Sequence, residues 1–192
     1  MSTFTGQLPD KKRLFKSPFL SYFITPTPPI PLEKLTQILV CYSPNFVCYR
    51  NLNGTTPSQI RPFLEKVKEL NSSPILHYRN WVPALLPFID GIHLPSIADP
   101  QLVDRFHFYN KIVIASTHTL EEVKKFKNAD FITFSPIFDS KGRKGVGVEV
   151  LEEVAQLHPR VIGLGGITSL EKLQLLQQSP AIGFASIRYF LR

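Results

Sequence analysis

Apolar residues in this chain come in short runs rich in β-branched and aromatic side chains. Each run gives way to a polar turn and then to a longer stretch with helical spacing. The runs predict strands at Leu20–Thr25, 46–50, 75–79, Gly91–Leu94, 111–116, 131–135, 160–165 and 182–186. The intervening stretches predict helices over Pro31–Val40, Pro57–Leu70, a short one near Trp81–Phe88, then Pro100–Tyr109, 120–128, 149–158 and 170–178. Thr56-Pro57-Ser58-Gln59 reads as a capping box with proline at the first helical position, and Thr119 with Glu122 marks another helix start. Thr168 or Ser169 caps the helix that has Glu171 in its first turn. Beyond the eighth run only Ile187–Arg192 remains.

Strict strand–helix alternation calls for a parallel sheet covered by helices. Eight repeats favour an α/β fold of one closed (β/α)8 TIM barrel with a short or missing last helix. Residues 1–17 read as a polar leader and 18–192 as the barrel, and a chain of 192 residues with 43% hydrophobic content suffices for one such core.

Charge alters this picture little. The formal net charge of +7 is dispersed, with its densest runs at Lys11–Lys16, Lys124–Lys127 and Lys141–Lys144. No nucleic-acid-binding motif accompanies it, so an anionic small molecule is the better partner. Cys41 and Cys48 lie in apolar surroundings without metal spacing and read as reduced core residues of a cytoplasmic protein. No apolar run approaches the ~18 residues of a membrane span.

In such a barrel the chemistry sits on the loops after the strands. Gly163–Thr168 (GLGGIT) ends a strand in two glycines shortly before a helix, which suits an anion, and barrels commonly seat phosphate after strands 7 and 8. Gly165 and Gly166, with the backbone around Ser186, Ile187 and Arg188, are therefore the expected phosphate seat. The loop 136–147 adds Ser140, Lys141, Arg143 and Lys144 as further anion contacts. Arg50, Arg79 and Ser116 close other strands and complete the expected substrate contacts. His77 and Arg79, at alternate positions of one strand, should point the same way. His93 reads as a hydrogen-bonded core residue. Asp99 and Asp139 are isolated carboxylates, and no metal-ligand or nucleophile–histidine spacing is present.

The order and spacing of Ser116-x-His118-Thr119, Ser135-Pro136-Ile137-Phe138 and Gly165-Gly166-Ile167 resemble the thiamine phosphate synthase and TenI superfamily of (β/α)8 barrels. The resemblance runs from about Ile112 to Ile187 and continues more faintly at YFITPTP, VCYRNLNG and DGIHLP. It implies a protein of thiamin metabolism that binds a thiazole phosphate through Gly165, Gly166, Ser186 and Ile187. The synthases join that phosphate to hydroxymethylpyrimidine diphosphate with Mg²⁺. Their R-E-K is Arg50-Asn51-Leu52 here, their N-D-D is His77-Tyr78-Arg79, their G-Q-x-D is Pro95-Ser96-Ile97-Ala98, and their P-T-x-T-K is Asp139-Ser140-Lys141-Gly142-Arg143. TenI relatives isomerise a thiazole carboxylate phosphate without metal, using a histidine in G-H-x-F where this chain has Pro136. Proline cannot act as a base, so His77 and His118 become the catalytic candidates. The expectation is metal-free acid–base chemistry of tautomerase type, with no cofactor and a small phosphate ligand as partner. The alternatives are a non-catalytic phosphate-binding or regulatory protein, and a synthase with a rearranged Mg²⁺ site on Asp99 or Asp139. A homodimer is left open.

Overall fold

The computed structural model describes residues 19–192, and the leader read over 1–17 lies outside them. Eight parallel strands pair in chain order and close first to last: β1 (Leu20–Ile24), β2 (Phe46–Tyr49), β3 (Ser73–His77), β4 (Gly91–Leu94), β5 (Ile112–Thr117), β6 (Phe131–Phe134), β7 (Val161–Leu164) and β8 (Gly183–Ser186). Around them lie α1 (Leu32–Tyr42), α2 (Pro57–Glu69), α3 (Gln101–Phe108), α4 (Leu120–Lys125), α5 (Val150–Leu157) and α6 (Leu170–Gln177). The (β/α)8 barrel is thus present, and its last helix is reduced to a 3-10 turn at Arg188–Leu191.

The strands read as near-continuous apolar runs because both faces are buried. One parity fills the barrel interior with Tyr22, Ile24, Phe46, Cys48, Ile75, Ile114, Ile162 and Ala185. The other parity, including Phe23, Val47, Leu76, Ile92, Val113, Ile132 and Phe184, packs under the helices. Local signals place the helix starts. Gln59 Oε1 accepts the Thr56 N–H at 3.1 Å, and Thr119 Oγ1 accepts the Glu122 N–H at 3.2 Å. Ser169 rather than Thr168 caps α6, its Oγ accepting the Lys172 N–H at 3.3 Å.

Two expectations shift. The helix near Trp81–Phe88 is instead a pair of 3-10 turns at Tyr78–Asn80 and Pro83–Phe88. Pro83 and Pro87 lack the N–H groups that an α-helical ladder needs. The third strand begins two residues early, at Ser73, because Pro74 near its start still accepts the Asp90 N–H through its carbonyl at 2.8 Å.

Inside the barrel, Thr133 lies level with Ser116 on β5 and Ile162 on β7. Its Oγ1 is buried with no hydrogen-bond partner. A hydroxyl desolvated without compensation costs about 1–3 kcal/mol. Thr133→Val keeps the shape and is expected to raise stability by up to about 1 kcal/mol in urea unfolding. A loss of stability would mean that the hydroxyl has a partner after all.

Candidate functional site

A cavity of about 760 Å³ opens among the loops that follow the strands, the face where barrels carry chemistry. One corner of it lies between the loops after β7 and β8, lined by Gly165–Thr168 and Ser186–Arg188. Gly165 and Gly166 both have positive φ, 99° and 69°. A Cβ on Gly165 would lie 2.7 Å from Pro136 Cα, and one on Gly166 would lie 2.5 Å from the Phe138 carbonyl oxygen. The glycines therefore also let the loop after β6 dock on this turn, through Ile137 N–H to Leu164 O at 2.9 Å and Phe138 N–H to Gly165 O at 3.0 Å. Among the described residues, the N–H groups of Gly165, Gly166 and Ile167 find no acceptor, nor do those of Ile187 and Arg188. Gly166 and Ile167 are buried, and buried N–H groups are rarely left unpaired. Their arrangement suits an anion.

Ser186 braces this corner rather than offering a free hydroxyl. Its Oγ donates to Ile167 O at 3.0 Å and accepts the Tyr189 N–H at 3.2 Å. Lys172, which the sequence reading passed over, reaches Gly166 O at 3.2 Å and lies over the Phe138 ring.

The loop after β6 folds as a small hairpin. Ser140 and Arg143 exchange two backbone hydrogen bonds of 3.0 Å across Lys141 and Gly142, both at positive φ. Asp139 Oδ1 accepts the Gly145 N–H at 2.7 Å. The hairpin brings Ser140, Lys141 and Arg143 to the cavity, where Arg188 and Arg50 also lie. Lys144 is placed outside it, in a neighbouring pocket. Arg79 is also placed outside, correcting its expected alignment with His77. The strand ends at His77 and the chain turns, so alternation no longer holds and Arg79 is exposed.

Three histidines line the cavity. His118 Nδ1 lies 2.8 Å from the Ser135 carbonyl oxygen, which can only accept. Nδ1 therefore carries hydrogen, and in the neutral ring Nε2 holds the lone pair. The His118 N–H is held by the Glu122 carboxylate at 2.6 Å. His77 has the opposite polarity. Its Nδ1 accepts the Arg79 N–H at 3.3 Å, leaving the hydrogen on Nε2 of the neutral ring. Burial, then the charges of Arg50 and Arg79, pull the His77 pKa down to about 4, so it is neutral at pH 7. One ring thus presents an acceptor and the other a donor.

His93 is buried as expected of a core residue, yet it also forms part of the cavity wall. Its Nδ1 lies 2.7 Å from Tyr22 Oη, its Nε2 lies 2.7 Å from Ser116 Oγ, and its ring stacks on His77 at 5.7 Å. Burial, then His77 and Arg50, hold its pKa well below the usual histidine value.

Both depressed histidines make the fold acid-sensitive. The unfolded chain protonates near pH 6.5, before the folded rings do, so stability is complete above that pH and is lost as pH falls toward 4. His77 alone contributes a loss of about 3 kcal/mol over that window. Urea unfolding at pH 7 and pH 4.5 is expected to show the drop, and His77→Asn to reduce it.

Magnesium fits this cavity poorly. Among the described residues its lining holds Arg50, Lys141, Arg143 and Arg188 but no carboxylate, whereas Mg²⁺ takes oxygen ligands that usually include one or two carboxylates. Neither Asp99 nor Asp139 lines it, and both accept backbone N–H groups, of Gln101 at 2.9 Å and Gly145 at 2.7 Å. Among the described residues, no cluster of three or more His, Cys, Asp or Glu could hold a metal. No helix there is long and apolar enough to cross a membrane.

Comparisons with known proteins agree with this architecture. A family model described as thiamine monophosphate synthase (TMP-TENI) matches residues 22–190. The chain is 35% identical over 139 residues to an Aquifex aeolicus protein described as "Putative thiamine-phosphate synthase 2", covering 69% of this chain and 72% of that one. It is similar in fold to a thiamine phosphate pyrophosphorylase from Pyrococcus furiosus, with TM-score 0.73 at 21% identity, over 88% of this chain and 85% of that one. A thiamine phosphate pyrophosphorylase from Bacteroides thetaiotaomicron superposes with TM-score 0.58 at 23% identity, over 89% and 83% of the two chains.

Proposed function

Because the chain belongs to the thiamine monophosphate synthase family, we propose that its barrel mouth binds a thiazole phosphate and acts on it by metal-free proton transfer. The observation that carries this reading is the donor set of the cavity. Among the described residues, N–H groups without an acceptor in two adjacent loops and four cationic side chains border a space lined by no carboxylate.

In this reading the phosphate sits against the N–H groups of Gly166, Ile167, Ile187 and Arg188. Lys141, Arg143 and the Arg188 guanidinium supply charge, Arg as a fork and Lys as a mobile point. The ring lies deeper, between His118 and His77. His118 Nε2 takes a proton from a ring carbon, and the released electron pair spreads into the ring and its carboxylate. His77 Nε2–H and Arg50 hydrogen-bond to the charge that develops there. Returning the proton to a different carbon of the same conjugated system, outside the ring, completes the isomerisation, with no net change in atoms or electrons. A neutral donor suits His77, since a group with a pKa of about 4 is a weak base at pH 7.

Incubation with one tautomer of a carboxythiazole phosphate in EDTA, followed by NMR, tests this. Interconversion is expected. Pro136, standing where the related isomerases carry their histidine, favours a second reading of a non-catalytic binder. Binding without interconversion would establish that one. Diphosphate release from hydroxymethylpyrimidine diphosphate that depends on Mg²⁺ would establish a synthase instead.

A further inference from the structure

Tyr22, His93 and Ser116 come from β1, β4 and β5 and form a line of two 2.7 Å hydrogen bonds running from the barrel interior to the cavity. We propose that Tyr22 and His93 are positioning residues that turn the Ser116 hydroxyl hydrogen into the cavity, making Ser116 a hydrogen-bond donor to the bound ligand. This rests on the reading of the cavity as a ligand site.

The direction follows from where the tyrosine proton can go. Tyr22 is fully buried, and burial first, then Cys48, raises its pKa well above the usual value, so it keeps its proton. Two acceptors lie near it, the Cys48 sulfur and His93 Nδ1. Sulfur is a weak acceptor and an imidazole nitrogen a strong one, so the proton points at Nδ1. A neutral imidazole that accepts at Nδ1 carries its hydrogen at Nε2. That hydrogen is directed at Ser116 Oγ, which must then accept, and the serine hydrogen is left for the cavity.

The line directs a hydrogen bond but does not deliver a net proton. If Ser116 gave its proton away and drew on the line to replace it, Tyr22 would end as a buried phenolate, which burial opposes. Ser116 therefore serves as a fixed donor to an oxygen or nitrogen of the ligand, while proton removal is left to His118. Without the bond from Tyr22 the serine hydrogen could be spent on His93 Nε2, whereas here it is left for the ligand.

Nitrogen-15 NMR of the histidine-labelled wild-type protein at neutral pH tests the buried pair without any ligand. His93 is expected as the Nε2–H tautomer, and an Nδ1–H tautomer overturns the proposal. Calorimetric titration with thiazole phosphate tests the ligand-facing half. Tyr22→Phe is expected to weaken binding about fivefold, and to cause no further loss once Ser116→Ala is present. Equal losses from Tyr22→Phe in both backgrounds would mean that it acts through the fold and overturns the positioning role. Failure of the wild type to bind overturns the functional reading and the donor role with it, while an Nε2–H tautomer would still support the orienting pair.

Discussion

Gly166→Asp is expected to lower affinity for thiazole phosphate by about a thousandfold. The substitution adds a carboxylate to the turn that carries the buried N–H groups of Gly166 and Ile167. At about 4 Å and an intermediate effective dielectric, repulsion from a phosphate charge amounts to roughly 4 kcal/mol. The same residue has φ of 69°, and its Cβ would meet the Phe138 carbonyl at 2.5 Å, so part of the loss comes from displacing the docked loop. Arg188→Met separates the two causes. Arg188 is exposed and lines the cavity, so its removal spares the loop and takes away one charged donor. It is expected to cost roughly ten- to a hundredfold, as for a hydrogen bond to a charged group. Calorimetry on both variants, with thermal melts as the control for folding, reads the result. Undiminished binding in either would remove the phosphate from this corner.

His118→Asn is expected to reduce the turnover number for tautomer interconversion by about a hundred- to ten-thousandfold, with little change in KM. Asparagine can still reach the Ser135 carbonyl now held by Nδ1 at 2.8 Å. What it lacks is the Nε2 lone pair that would receive the proton. His77→Asn is expected to do less to turnover, since asparagine retains an N–H donor for the same charge. If His77→Asn instead abolishes turnover while His118→Asn is harmless, the roles are reversed.

The barrel was legible because its signals are local or periodic. Buried strands such as Val161–Leu164 stand out as apolar runs, and Thr119 and Ser169 mark helix starts by a bond only three residues long. The meeting of these two loops was legible for a topological reason, as glycines after β7 and a turn after β8 must be neighbours in a closed barrel. Other features depend on contacts that spacing does not encode. Tyr22 and His93 are 71 positions apart and meet across the barrel interior. The paired asparagines Asn51 and Asn80, which tie the loop after β2 to the turn after β3 at 2.9 and 2.8 Å, are likewise distant in sequence. Arg79 was misplaced because strand alternation was carried two residues past the point where β3 turns. The glycine pair was read as room for a ligand, yet it also gives the neighbouring loop its close approach.

The central claim is a phosphate site that works without metal. Calorimetric titration of the wild-type protein with thiazole phosphate, run once in EDTA and once in excess Mg²⁺, tests it most directly. Equal saturable binding in both is the predicted result, and no binding, or binding only with Mg²⁺, would contradict it.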